Sequence, residues 1–170
     1  MKAYISLICK VGAYNRVLKE LLDLNVPRGN IFLLFGSIDI LIQFIELKSL
    51  DEFIDKWFNS IRMIGAEEGL ITKTLTFIVI SEGPSFAEEP FAFILLNTPP
   101  KNLENIRRAL LTIPNVLSAD TVFGPYDVIC PVRARDRTDL ERVISYIHKN
   151  VPGIEGTVTA IVGESGMFFF

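Results

Sequence analysis

The chain has 170 residues, of which 49% are apolar, and it carries a formal net charge of −3. That length is enough for one medium domain or two small ones with a buried core, and the acidic balance disfavours a surface that binds nucleic acid through its phosphates. No signal-peptide pattern opens the chain, no uninterrupted apolar run reaches the length of a membrane span, and two cysteines are too few for a disulfide framework or a metal knuckle. Composition therefore predicts a cytoplasmic protein without a membrane span.

The first half of the chain predicts a β-α-β-β-α-β order of elements. β-rich runs with alternating polarity predict four strands, at residues 3–9, 31–35, 38–47 and 71–80. An amphipathic helical run follows the first strand. A second helical run opens on the capping-box pattern Ser49-x-x-Glu52.

The second half repeats the first. The stretch FGSIDI at 35–40 returns as FGPYDV at 123–128. Four further stretches, AYISLI, LLDL, SLDEFI and TLTFIV, find counterparts in the same order, at offsets between 83 and 90 residues. Five ordered matches indicate an internal duplication. On this alignment the second helix of the second copy opens at Thr138-x-x-Glu141.

The duplicated order predicts an α+β fold with two ferredoxin-like (βαββαβ) units in tandem. The expected divisions are a first unit at 1–80, a linker at 81–90, a second unit at 91–163 and an apolar tail at 164–170 that packs on its own chain or on a neighbouring subunit. Helices cover one face of such a sheet, and the half-apolar opposite faces favour two sheets packed face to face as a pseudo-dimer. Strand parity predicts that Leu75, Phe77 and Val79 face the helices, and that Thr157 and Thr159 point away from them.

The second copy resembles a known family. The stretch IPNVLSADTVFGPYDVICPVRARDRTDLERVISYIHKNVPGIEGTVTAIV at 113–162 carries Pro-x-Val, Gly-x-x-Asp, an Asp–Leu helix start and Pro-Gly-Ile-x-x-Thr-x-Thr. This running pattern is similar to the ligand-binding (RAM) domain of the Lrp/AsnC, or feast/famine, transcription regulators. The first copy is a degenerate version. Typical family members begin with a helix-turn-helix domain, whereas the first strand here begins at Ala3, so we expect tandem sensor domains that do not bind DNA directly.

The resemblance implies a small-molecule effector, most simply an amino acid, at the Gly-x-x-Asp turns. It also implies a homo-oligomer and a full-length Lrp/AsnC-type regulator as a possible partner. No catalytic residue, metal or cofactor is predicted. The alternative is a purely structural turn in which the Asp accepts backbone N–H groups. The candidate ligand-binding residues are Phe123, Gly124, Tyr126, Asp127, Thr157 and Thr159 in the second copy, with Gly36 and Asp39 in the first.

Two other functions compete with the sensor. One is a small enzyme, such as a monooxygenase or isomerase, on a dimeric ferredoxin-like (α+β barrel) scaffold. The other is a purely structural partner that assembles with a full-length regulator. His148 lies near a helix end without the spacing of a carboxylate–histidine–nucleophile set, and Cys130 is predicted on a core face, where a thiol is usually inert. The sequence therefore shows no convergent catalytic set.

Overall fold

A computed structural model describes residues 1–163. The predicted tail at 164–170 lies outside the described residues. The fold is mixed α+β, and the chain divides into two compact units. The first comprises Met1–Ile78, joined by Gly163, and the second comprises Val79–Val162.

The first unit contains four antiparallel strands in the order β4–β1–β3–β2. Its helices are α1, which follows β1, and a segment at 50–62 that we call the bulged helix, in which α2, a π-helical turn and α3 follow directly on one another. Short 3-10 turns lie at Arg28–Asn30 and Ala66–Glu68. The bounds are β1 Ala3–Cys9, α1 Tyr14–Asp23, β2 Ile31–Phe35, β3 Ile40–Phe44, α2 Leu50–Phe53, the π turn Ile54–Phe58, α3 Asn59–Arg62 and β4 Ile71–Ser81.

The second unit repeats this arrangement. Its strands are antiparallel in the order β8–β5–β7–β6, and each of them takes the place of its counterpart in the first unit. A 3-10 turn at Pro100–Asn102 precedes its first helix. The bounds are β5 Ala92–Asn97, α4 Leu103–Leu111, β6 Asp120–Phe123, β7 Val128–Val132, α5 Arg137–Asn150 and β8 Gly156–Val162.

The last strand of each unit faces the other way from the prediction. Residues opposite one another in an antiparallel ladder share a face, and Thr74 lies opposite Leu7 while Thr157 lies opposite Leu96. Leu7 and Leu96 belong to the apolar clusters that pack against the helices. The threonines are therefore on the helix side, and Phe77 is on the other. The prediction failed because Phe77 is fully buried on a face without helices, so polarity does not distinguish the two faces.

Both second helices begin with a side-chain cap. The Ser49 hydroxyl accepts a hydrogen bond from the Glu52 N–H at 3.1 Å, which confirms Ser49 as the predicted cap. The Glu52 carboxylate accepts from the Lys48 N–H at 2.6 Å, one residue before the position that a capping box predicts. In the second unit the cap is Asp136, whose carboxylate accepts from the Asp139 N–H at 2.8 Å. The predicted start at Thr138 is therefore wrong by two residues, because an acidic residue upstream already supplies the acceptor.

The two capped helices differ by one residue in the spacing between their caps and their later core positions. Phe53 and Leu140 each follow their cap by four residues and are buried. Further along, the buried Ile61 follows Ser49 by 12 residues, whereas the buried Ile147 follows Asp136 by 11. The π turn between Phe53 and Ile61 absorbs the additional residue, since a π turn is a one-residue insertion into an α-helix. The core residues before and after the π turn, Phe53 and Ile61, are therefore buried like their counterparts in the second unit.

Aromatic side chains pack around the π turn. The rings of Phe53 and Phe58, five residues apart, have centroids 6.2 Å from each other. Phe44 of β3 lies 5.5 Å from Phe53 and 5.3 Å from Trp57. Edge-to-face and tilted contacts at these distances stabilise the turn beyond simple burial.

The segment expected as a linker is tied to the second unit. The Asp120 carboxylate accepts from the Gly83 N–H at 2.7 Å, and the Arg107 guanidinium donates to the Glu82 carbonyl at 2.7 Å. A Cβ at Gly83 would lie 2.7 Å from the Ala119 nitrogen, so this close approach requires glycine. Residues 82–83 are thus held by specific contacts.

Candidate functional site

The two Gly-x-x-Asp turns make the same contacts in the two units. The Asp39 carboxylate accepts from the Cys9 N–H at 2.7 Å, and the Asp127 carboxylate accepts from the Thr98 N–H at 3.0 Å. Cys9 ends β1, and Thr98 directly follows β5. Each carboxylate therefore accepts a hydrogen bond from a backbone N–H at the end of the first strand of its unit. The expected bonds across the Asp's own turn are replaced by this contact to a neighbouring strand.

The turns present a large aromatic ring to solvent. Phe123 is 74% exposed, and Phe35, its counterpart at the end of β2, is 56% exposed. Gly36 has φ of +147°, which favours glycine, whereas Gly124 is not among the glycines with positive φ. Tyr126 is half-buried. Four of the predicted site residues are thus together in the second turn.

Burial and charge keep the neighbouring thiol and phenol protonated. Burial, together with the Asp39 carboxylate, raises the pKa of the Cys9 thiol to about 11. The same two causes raise the pKa of Tyr14 to about 12, and the Tyr14 hydroxyl donates to the Asp39 carbonyl at 3.2 Å. Burial and then Asp120 raise the pKa of the Cys130 thiol above its usual range. Neither cysteine is therefore prepared to act as a nucleophile at neutral pH.

Thr98, the partner of Asp127, also contacts the turn that precedes β8. The Thr98 hydroxyl donates to the Gly153 carbonyl at 3.2 Å. Sequence reasoning overlooked Thr98. Its signal is the correspondence with Cys9, which becomes visible only when the first strands of the two units, β1 and β5, are aligned to their ends.

The structure separates the two threonines from the predicted pocket wall. Thr157 lies opposite Leu96 in β5, and the Asp127 N–H donates to the Leu96 carbonyl at 2.9 Å. Asp127, directly before β7, and Thr157, in β8, therefore lie to either side of β5, about 10 Å apart at the usual strand spacing. Thr159 lies opposite Ile94, further from the turn. The prediction that these hydroxyls are available on the helix-free face is wrong.

Thr157 instead contacts a helix and lines a cavity. The His148 Nε2 lies 3.2 Å from the Thr157 hydroxyl oxygen. These two side chains and the turn at 151–156 enclose about 300 Å³. His148 is a lining residue of this cavity that the sequence analysis had set aside.

A second cavity, of about 460 Å³, is lined by paired charges. Arg133 donates to Glu88 at 3.1 Å, and Arg135 donates to Asp139 at 3.3 Å. The backbone N–H and then the guanidinium of Arg135 lower the pKa of the Asp139 carboxyl. These opposite charges pair with one another, so the cavity lining has no uncompensated charge that would favour a charged ligand.

Residues 1–163 contain no cluster of three or more His, Cys, Asp or Glu side chains that could hold a metal ion. In the same part of the chain, no helix has both the length and the apolar character needed to cross a membrane.

Solved structures at about 30% identity match less than half of this chain, whereas a more distant one matches nearly all of it. No curated protein matches the sequence. A hypothetical protein from Pyrococcus horikoshii, PHS023, is 30% identical over 46% of this chain and 96% of its own, with a TM-score of 0.40. FFRP-DM1 is 32% identical over 43% of this chain and 96% of its own, with a TM-score of 0.40.

A longer likeness has low identity. The siroheme decarboxylase NirDL aligns over 96% of this chain and 71% of its own, with a TM-score of 0.66 and 9% identity. At that identity the likeness bears on the fold alone.

The family is shown by the segment that contains the Gly124–Asp127 turn and the Pro-Gly-Ile turn. Residues 91–165 match the family model described as the Lrp/AsnC ligand binding domain. Through these residues the chain belongs to the Lrp/AsnC ligand binding domain family.

Proposed function

We propose that the chain is a ligand-sensing and oligomerisation module of Lrp/AsnC type, which binds a small effector at the Gly124–Asp127 turn. The observation that carries this proposal is the family membership of residues 91–165. The exposed Phe123 ring beside a turn whose Asp127 is held in place supports it, because a preformed apolar wall with few polar groups suits a small ligand.

An amino acid is the proposed effector. Phe123 and Tyr126 supply apolar walls, the Gly124 amide can meet a carboxylate, and Asp127 can meet an ammonium group. Thr157 and Thr159 are not part of this wall, since they face the helices. Gly36 and Asp39 form the corresponding turn of the first unit.

The proposed architecture is a tandem of two ferredoxin-like units, at 1–80 and 91–163. The shared element order and the shared strand order of the two units support it. Face-to-face packing of the two sheets stays a prediction. Homo-oligomerisation and a full-length regulator as partner are proposed from family membership, and direct DNA binding by this chain is not part of the proposal.

The enzymatic alternative has less support. The likeness to a siroheme decarboxylase is at 9% identity and bears on the fold. Burial holds both thiols in the protonated form. A purely structural assembly partner differs from a sensor only in lacking an effector, so an effector screen distinguishes the two.

The test is a calorimetric screen of the twenty amino acids at millimolar concentration. A bound effector raises the melting temperature by mass action. Phe123→Ala is the informative variant because its ring is exposed and its loss leaves the strand-end contact of Asp127 intact. Phe35→Ala is the matched control in the first unit. We expect one amino acid to stabilise the parent and the Phe35→Ala variant, and to stabilise Phe123→Ala less.

A blank screen with the parent protein contradicts the sensor proposal. Equal responses of parent and Phe123→Ala contradict the placement of the effector at this turn.

A further inference from the structure

One peptide group of the second unit is held between two opposite charges. The Glu82 carbonyl accepts from the Arg107 guanidinium at 2.7 Å, and the Gly83 N–H of the same peptide group donates to the Asp120 carboxylate at 2.7 Å. Asp120 is fully buried, and the Arg107 side chain is 16% exposed. Charge-assisted hydrogen bonds with so little water are strong. We call Arg107 and Asp120 the peptide clamp, and residues 82–88 the strap.

Contacts outside the strap orient the clamp. The Arg107 Nε donates to the Ala119 carbonyl at 3.2 Å, and its Nη1 lies 3.5 Å from the Glu104 carboxylate. A guanidinium that its own unit holds in place loses little freedom when it binds a peptide. The fully buried Ser118 hydroxyl has no hydrogen-bond partner among the described residues. It faces the clamped peptide, since it would lie 2.3 Å from a Cβ at Gly83.

The first unit has apolar side chains at both positions of the clamp. Phe32 takes the place of Asp120, since each lies three residues before the phenylalanine that ends its strand. Leu18 takes the place of Arg107, since each lies three residues before a buried leucine of its helix. Phe32 and Leu18 are both buried. The same strand order thus forms without the two charges, whose burial carries a desolvation cost. Their contribution in the second unit is to bind the strap.

The strap has a second, weaker anchor. The Arg133 Nε donates to the Glu88 carboxylate at 3.1 Å, and its Nη1 donates to the Pro114 carbonyl at 2.6 Å. The Arg133 and Glu88 side chains are both about half exposed, and an ion pair in that setting contributes little and is screened by salt. Residues 84–87, between the anchors, form neither helix nor strand. The strap can therefore be released from its Glu88 end.

We propose that the clamp is a peptide-binding site, which the strap occupies in cis and from which a segment of a partner protein displaces it. The strap defines the chemistry of that segment. It has a glycine at the clamped peptide group, because a Cβ there would lie 2.7 Å from the Ala119 nitrogen, and an acidic residue five positions later for Arg133. Main-chain hydrogen bonds supply the affinity, and these two residues supply the specificity. This site does not depend on the proposed effector turn.

The experiment is calorimetric titration of the full chain with the end-blocked peptide SEGPSFAEE, the sequence of residues 81–89. In the parent the tethered strap competes at an effective concentration on the order of millimolar. Gly83→Ala removes the strap from the clamp, so this variant should bind the peptide saturably and at least about tenfold more tightly than the parent. Ser85→Ala changes an exposed strap residue outside both anchors, and it should behave like the parent.

Recognition is tested in the Gly83→Ala protein. Adding Arg107→Leu copies the first unit and should weaken peptide binding at least about tenfold, because it removes a charge-assisted hydrogen bond. A peptide with alanine at the glycine position should not bind. A peptide with glutamine at the position of Glu88 should bind roughly two- to fivefold more weakly, as expected for an exposed ion pair.

Circular dichroism checks that Gly83→Ala is folded, and hydrogen exchange should show lost protection in the strap alone. A strap that stays protected contradicts the need for glycine and the proposal with it. No peptide binding by the folded variant overturns the site, and equal binding of an acidic peptide without glycine indicates general charge attraction instead. In the parent, millimolar peptide should increase hydrogen exchange of the strap. Unchanged exchange there overturns displacement without relying on any variant.

Discussion

The bulged helix of the first unit and α5 of the second begin from equivalent caps and support equivalent core residues, yet the bulged helix has one more residue between those core positions. Phe53 and Ile61 are as deeply buried as Leu140 and Ile147. The difference is confined to the π turn and to the surface residues beyond it, where Arg62 replaces His148. Two units with the same strand order can therefore differ in surface chemistry through a single inserted residue while their core positions are kept.

The largest expected effect comes from deleting one residue from each helix. Deletion of Asp55, exposed in the π turn, should convert the bulged helix into a regular α-helix and leave Ile61 in the core. Deletion of the exposed Glu141 from α5 should rotate Val143 and Ile147 away from the core, at a cost of about 4 kcal/mol or more. Denaturant titration measures both.

If the two deletions destabilise equally, the π turn is not a one-residue insertion between equivalent helices. Circular dichroism of the Asp55 deletion variant shows whether the helix content is retained.

The next largest effect concerns the two turn aspartates. Asp39→Ala and Asp127→Ala each leave a strand-end N–H without its acceptor, so each should lower the free energy of unfolding by about 1–3 kcal/mol. The asparagine variants retain an acceptor oxygen and should cost less. A much smaller cost for Asp127→Ala than for Asp39→Ala would show that the second carboxylate is not needed for the fold.

Helix caps should have a smaller effect. Ser49→Ala and Asp136→Ala each remove the acceptor for the first turn and should cost about 1 kcal/mol. Thr138→Ala is the control, because Thr138 lies inside the helix and is not its cap. An equal loss for Thr138→Ala in a denaturant titration contradicts the assignment of the cap to Asp136.

The smallest effect appears in alkali and distinguishes Cys9 from its counterpart Thr98. Burial, together with the Asp39 carboxylate, raises the pKa of Cys9 in the folded protein to about 11, above the ordinary thiol value of 9.0. Its contribution to stability is therefore complete below pH 9 and is lost as the pH rises to about 11. Cys9→Thr copies the second unit, cannot titrate, and should lose less stability over this range. Denaturant titrations at several pH values measure the difference, and parallel curves for parent and variant contradict it.

Local periodicity predicted three of the four strands of the first unit well, whereas the third, expected at 38–47, spans only Ile40–Phe44. The first, second and last strands of the first unit lie within one residue of the expected bounds, and Ser49 is the cap of the second helix. These features depend on residues close together in sequence, where propensity and side-chain pattern act directly.

The misses arose where a second, non-local contact decides. Phe77 is buried on a face without helices, so apolar character could not orient β4. The contact of Asp127 with Thr98 joins residues 29 apart, and the correspondence of Arg62 with His148 requires counting through a π turn. The facing of β4 depends on ladder register, and the correspondence of Arg62 with His148 depends on a helix irregularity. Neither feature can be recognised from a short sequence motif.

The half-buried thiol of Cys9 and the buried thiol of Cys130 have a practical consequence. Cys9 and Cys130 react slowly with alkylating reagents at neutral pH, because the thiolate is the reactive form and burial disfavours it in both. A cysteine introduced at Val11, which is 99% exposed beside the end of β1, would be modified selectively without removing the native thiols. The natural sequence can thus take a single fluorescent reporter.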